Sequence, residues 1–198
     1  MIYRGLNLFP APLRSKVAVC ALIGLFLAAS NLNGPSAEEI GRNPAPTENE
    51  VRAAFLYNFI KFASWPQKAF TDSREPIVIG IIGHDPFGNL LDSMVKDRTI
   101  QSRKLMIRRY PRIEDYADCH VLYIGFNEKR YQVAILQHLN GKPVLTIGAR
   151  EGFTRLGGMI NFVTIQNQVG FEINLDAVEK SNLEISAKLL KLAKIIRP

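Results

Sequence analysis

The chain has 198 residues, with 25 Lys and Arg against 18 Asp and Glu, a net charge of +7. Three of the bases (Arg4, Arg14 and Lys16) precede an apolar run near the amino terminus in a stretch without acids, so the remainder carries 22 against 18, a net +4. So small and scattered an excess argues against a nucleic-acid surface, and with Cys20 inside the apolar run only Cys119 is left beyond it, which excludes a disulfide framework there.

Val17–Ala29 (VAVCALIGLFLAA) is apolar apart from Gly24 and runs into Ser30 and Asn31. A basic start, an apolar segment of this length and a small-residue exit through Ala28 and Ser30 predict a signal peptide over residues 1–30. An uncleaved membrane anchor is the competing reading, but the run is shorter than the roughly 20 apolar residues that spanning requires. Residues 31–46 are polar, contain Pro and Gly and lack periodicity, which predicts a flexible linker. Residues 47–198 then form one domain, long enough for a single core.

Within that domain Thr47 and Glu50 have capping-box spacing. Val51, Phe55, Phe59 and Phe62, widened by Leu56, Ile60 and Ala63, form a helical stripe that Trp65-Pro66 ends. Pro76–Gly83 is a short apolar run bounded by turn residues, as expected of a strand buried on both faces. A helix is expected over Phe87–Lys96, strands over Lys104–Tyr110 and His120–Phe126, a helix over Glu128–Leu139 and a strand over Pro143–Gly148. Gly158–Gln166 and Gln168–Leu175 break the alternation and read as an antiparallel hairpin turning at Asn167. A last helix is expected from about Ile185, with Leu189, Leu192 and Ile196 on one face and Lys188, Lys191 and Lys194 opposite, followed by Arg197. The fold class is therefore α/β: a three-layer sandwich with a largely parallel central sheet, helices on both faces and a C-terminal antiparallel hairpin.

Three expected strands end in glycine, at Gly83, Gly125 and Gly148, and the crevice beyond the carboxyl ends of such strands is the usual ligand position in open α/β sheets. His84, Asp85, Asn127 and Arg150 are the candidate ligand residues at that edge, although the turn sequence Asp85-Pro86-Phe87-Gly88 accounts for Asp85 without a ligand. No Gly-x-Gly-x-x-Gly, P-loop, Gly-x-Ser-x-Gly or His-Glu-x-x-His pattern occurs, and no histidine has a second ligand at metal spacing. Neither a cofactor, a metal site nor a catalytic group is expected. Cys119 starts an apolar strand and reads as a buried thiol.

Six strings, VRAAFLYNFIKFASWP (Val51–Pro66), IGIIGHDPFG (Ile79–Gly88), CHVLYI (Cys119–Ile124), GGMINFV (Gly157–Val163), FEINLDA (Phe171–Ala177) and ISAKLLKLAK (Ile185–Lys194), together resemble the YfiR family and occur in its order. The resemblance implies a small, non-enzymatic periplasmic regulator that represses an inner-membrane diguanylate cyclase through that enzyme's periplasmic sensor region. It further implies release by an OmpA-like outer-membrane lipoprotein, possible homodimers, and lower cyclic-di-GMP signalling and biofilm formation. Some members carry intradomain disulfides, and this chain departs from them. The hairpin and its flanks, with Phe153, Met159, Ile165, Glu172 and Asp176, are the candidate partner surface, and inward-facing core positions are the competing fate for each. The alternative function is an extracytoplasmic sensor that binds a small ligand at the glycine-bounded edge.

Overall fold

In a computed structural model, residues 45–197 are described. The expected signal peptide and nearly all of the expected linker lie outside them. Helix α1 (Glu48–Phe62) begins with a complete capping box: the Thr47 amide donates to Glu50 Oε2 (2.6 Å) and the Glu50 amide to Thr47 Oγ1 (3.3 Å). Its buried face is centred on Ala53, Leu56, Phe59 and Ile60, while Val51, Phe55 and Phe62 are only partly covered. The helix ends at Phe62, before Trp65-Pro66, because Ala63 turns extended and forms β1 (Ala63–Ser64), which pairs antiparallel with β9 (Glu184–Ile185).

The main sheet is built on five mutually parallel strands: β2 (Ile77–Gly83), β4 (Arg103–Tyr110), β5 (Val121–Gly125), β6 (Leu145–Gly148) and β7 (Ile160–Ile165). Strand β8 (Gln168–Asn174) returns antiparallel to β7 across Gln166 and Asn167. Both turn residues have positive φ, as in the hairpin turns whose twist matches that of the strands. Two short strands finish the edges: β3 (Thr99–Ile100) lies antiparallel to β4, and β10 (Lys194–Ile196) lies parallel to β8. The order across the sheet is β10-β8-β7-β6-β5-β2-β4-β3.

Successive side chains of a strand face opposite ways, so β2 and β5 feed two separate cores. Ile77, Ile79, Ile81, Val121 and Tyr123 join α1, α2 (Asn89–Val95), α4 (Leu175–Lys180) and α5 (Ala187–Leu190) in the larger one. Val78, Ile82, Leu122 and Ile124 meet α3 (Lys129–His138) and Phe153 in the other. The molecule is thus the α/β three-layer sandwich expected, with its mainly parallel sheet and C-terminal hairpin.

The carboxyl-terminal helix is a correction. Instead of one helix from Ile185 through Ile196 there is one short turn of helix, α5, started by Ser186 Oγ accepting from the Lys188 amide (3.3 Å), then a strand. Strand β10 satisfies the open backbone groups along β8, which a continuing helix would leave unpaired. Leu192, assigned to the apolar stripe, is 70% exposed, and Lys194 faces Glu172 rather than sharing a helical face with Lys188. The end of the expected second hairpin strand is corrected too: Leu175 begins α4, whose cap is Asn174 Oδ1 accepting from the Ala177 amide (3.0 Å).

His120 pins the start of β5. Its Nδ1 accepts from the Val78 amide (3.0 Å), so the ring proton sits on Nε2, which donates to the Ala69 carbonyl (3.1 Å). Phe70 stacks on the ring at 4.4 Å, and the Arg103 guanidinium covers Phe70. Burial pushes the imidazole below its ordinary pKa, opposed by the Ala69 bond and by Glu75 at 4.0 Å, with Arg103 adding to the depression. The unfolded chain therefore takes up this proton first, near pH 6.5, and stability, fully present above that value, falls as pH drops towards the folded pKa. Melting temperature is expected to be level near pH 7 and to fall progressively as pH drops below about 6.5. In His120→Gln that slope should vanish, and an unchanged slope would assign it to other groups.

Candidate functional site

The carboxyl ends of β2, β5 and β6 open on one side of the sheet, and α1 supplies a wall there. His84 leaves β2, Asn127 follows β5 and Arg150 follows β6. With Asn49 and Arg52 of α1 and Gln132 of α3 they line a cleft of about 270 Å³. Three of the four residues expected at this edge, His84, Asn127 and Arg150, are therefore brought together. The approach of β2 to β5 depends on Gly125, where a Cβ would lie 1.9 Å from the His84 carbonyl oxygen.

Asp85 is not in the cleft. Its Oδ1 accepts from the Phe87 and Gly88 amides (2.8 and 3.2 Å), and its Oδ2 accepts from Arg109 Nε (2.7 Å). Arg109 also donates to both carboxylate oxygens of Asp92 and to the Gly88 carbonyl, tying β4 to the start of α2. Burial alone would raise the Asp85 carboxyl, but the Arg109 bond and the two amides outweigh it and hold the group below its ordinary value. Asp85 is the turn residue that Asp-Pro-Phe-Gly implied.

Arg52 and Gln132 were not anticipated. Gln132 is fully buried; its Nε2 donates to the Phe126 carbonyl (2.6 Å) and its Oε1 has no partner among the described residues. Arg52 Nη2 pairs with Glu48 (2.5 Å), and among the described residues its Nε is likewise unpartnered. A signal for Gln132 existed in the sequence: it lies three and seven residues before Ile135 and Leu139, on the inward face of α3. Among the described residues two arginines, one histidine and three side-chain amides line the cleft, with no carboxylate to orient the imidazole. Among the described residues no cluster of His, Cys, Asp and Glu is disposed to hold a metal ion.

The five residues expected on the partner surface divide. Phe153 and Met159 are buried in the core, which corrects their assignment to the surface. Glu172 is buried as well: its Oε1 accepts from Thr154 Oγ1 (2.7 Å) and Asn161 Nδ2 (3.4 Å), and its Oε2 lies 3.9 Å from Lys194 Nζ. Asn174 Nδ2 donates to the Thr154 carbonyl (2.8 Å), and the Met159 amide donates to Thr146 Oγ1 (3.0 Å). The strings GGMINFV and FEINLDA thus hold the hairpin to the turn at Thr154–Leu156. Only Ile165, at the end of β7, and Asp176, ion-paired with Arg197 (2.6 Å), reach solvent. Cys119 is buried as expected, and burial pushes its thiol up to about 12.

A family model described as YfiR/HmsC-like matches residues 49–194. The matched stretch runs from the first turn of α1 to the first residue of β10, taking in the edge cleft and the hairpin together. Proteins of this family are periplasmic, regulate diguanylate cyclases and are regulatory rather than catalytic domains. The chain belongs to the YfiR/HmsC-like family.

Proposed function

We propose that this chain is an exported regulator that binds an inner-membrane diguanylate cyclase at its periplasmic sensor region and represses it, lowering cyclic-di-GMP and biofilm formation. An OmpA-like outer-membrane lipoprotein relieves the repression by capturing the regulator, and the regulator is able to form homodimers. The observation that carries this reading is the family match across residues 49–194. The basic and apolar leader at residues 1–30 agrees with it. Repression by binding needs a difference in affinity between two states of the cyclase and no catalytic group. A protein outside the cytoplasm governs cyclic-di-GMP only through a partner that crosses the membrane.

Deletion of the gene in cells expressing the partner cyclase is expected to raise cyclic-di-GMP, and an unchanged level would overturn repression of that pair. Ile165 and Asp176 are the accessible members of the proposed partner surface. Ile165→Glu is expected to weaken co-purification with the cyclase sensor region about tenfold or more. As a substitution at an exposed strand end it should alter stability by only about 0.5 kcal/mol. Undiminished capture by Ile165→Glu and by Asp176→Asn would remove this surface.

A further inference from the structure

The parallel strands run β4-β2-β5-β6-β7 across the sheet, so the chain steps outward from β2 to β4 and then crosses to the other side of β2 for β5, β6 and β7. The two crossovers cover opposite faces: α2 packs in the core with α1, and α3 in the other core. Where strand order reverses in this way, the loops leaving adjacent strands diverge and open a crevice beyond their carboxyl ends, the position at which open α/β sheets bind ligands. The cleft lies there, with His84 after β2 on one side and Asn127 after β5 on the other.

We infer that this cleft binds a small oxyanion that carries a hydroxyl group beside its charge. The charge follows from the lining. Arg52 and Arg150 both contribute, no Asp or Glu does, and among the described residues no acidic side chain pairs with Arg150. Arg52 commits one nitrogen to Glu48 and leaves Nε without a partner among the described residues. Charge-assisted bonds from guanidinium groups to carboxylate or phosphate are the strong ones.

The hydroxyl follows from Gln132. Its amide orientation is fixed, because Nε2 donates to the Phe126 carbonyl and the flipped amide would set two oxygens against each other. The group left over is therefore an acceptor, Oε1, in a side chain with no exposed surface. A buried acceptor without a donor is costly, and a bare anion would be repelled by it. Gln132 lines the cleft wall, so a ligand hydroxyl seated there, admitted by a small shift of the covering atoms, satisfies the acceptor while the arginines hold the charge. At about 270 Å³ the cleft sits below the lower end of ordinary ligand pockets, which suits a small hydroxy acid or the phosphate ester of a small alcohol and excludes a dinucleotide.

Calorimetric titration of the purified full chain with two matched pairs tests this. L-malate against succinate forms the carboxylate arm, and glycerol 3-phosphate against n-propyl phosphate forms the phosphate arm. In at least one arm the hydroxylated member is expected to bind saturably and about tenfold or more tighter than its counterpart. The arm that responds identifies the source of the oxyanion. Arg150→Gln should weaken that binding about tenfold or more without lowering the melting temperature, since Arg150 lies on a loop and only partly buried. Three results would overturn the site: no saturable heat in either arm at concentrations up to about 10 mM, equal affinity within both pairs, or unchanged affinity in Arg150→Gln. Cyclic-di-GMP levels report repression and these titrations report ligand binding, so failure of one leaves the other standing.

Discussion

Replacing Phe153 by alanine is expected to lower the unfolding free energy by about 3–5 kcal/mol, and the melting temperature by about 10 °C or more. Phe153 has no exposed surface, and its ring fills the space that two missing side chains would occupy. A Cβ on Gly148 would lie 2.7 Å from the ring, and one on Gly158 only 2.1 Å from it. Both glycines belong to backbone held elsewhere. Gly148 lies in the β6–β7 ladder opposite Asn161, and Gly158 is followed by Met159, whose amide donates to Thr146 Oγ1. The site therefore collapses poorly after truncation, which places the cost towards the upper end of the range. Gly158→Ala alone is also expected to destabilise, by overpacking against the ring. In the double variant the new methyl group occupies part of the cavity, so the two losses should add to less than their sum. Urea denaturation of the four proteins measures this. Simple additivity would show that the ring and the glycine do not share that space.

Gly125→Ala is expected to cost about 3 kcal/mol or more and to distort the edge cleft at the same time. The atom in the way is the His84 carbonyl oxygen, with the His84 carbonyl carbon and amide nitrogen at 2.8 and 3.0 Å, so relief cannot come from rotating a side chain. Gly83 and Gly125 are register partners at the ends of adjacent central strands, and separating them breaks the ladder where the loops begin. Faster amide exchange over residues 83–88, together with a lower urea midpoint, is the expected signature. Normal exchange there with a small loss of stability would mean that the two strand ends separate easily.

How much of this was legible depended on what kind of information each residue carries. Runs such as PIVIGIIG and HVLYIGF announce strands covered on both faces because no polar side chain interrupts them, and the structure buries nearly all of each. The edge cleft was half legible: glycine-terminated strands pointed to His84, Asn127 and Arg150. Arg52 arrives from a helix distant in sequence, and only packing places it there. The partner surface was drawn too wide because residues 158–162 and 171–174 are buried in unbroken runs, covered on both faces of the sheet, where alternation has no exposed side to point to. Met159 and Glu172 fall on covered positions. The buried carboxylate of Glu172 is tolerated through Thr154 and Asn161, which a linear pattern does not show.

At the carboxyl terminus, Leu189, Leu192 and Ile196 keep helical spacing, yet the open edge of β8 outweighs that preference and draws residues 194–196 into the sheet. The turns at Gln101-Ser102 and Gln166-Asn167 both use positive φ without glycine, so the usual Asn-Gly hairpin signal was missing from each.

The pairing of the described domain's first helix with its last elements sets the order in which the molecule is assembled. Phe59 of α1 lies 4.8 Å, ring to ring, from Phe171 of β8, and β1 closes against β9 close to the far end of the chain. Helix α1 is synthesised first, but the surface that covers it is synthesised almost last. Contacts between such distant segments demand loop closure before they return any stabilisation, which makes folding slow. Until β7 and β8 exist, Leu56, Phe59 and Ile60 have no complete core to enter, so the nascent chain cannot lock its amino-terminal half prematurely. A chain cut short before the hairpin would carry an uncovered aromatic helix and be prone to aggregate.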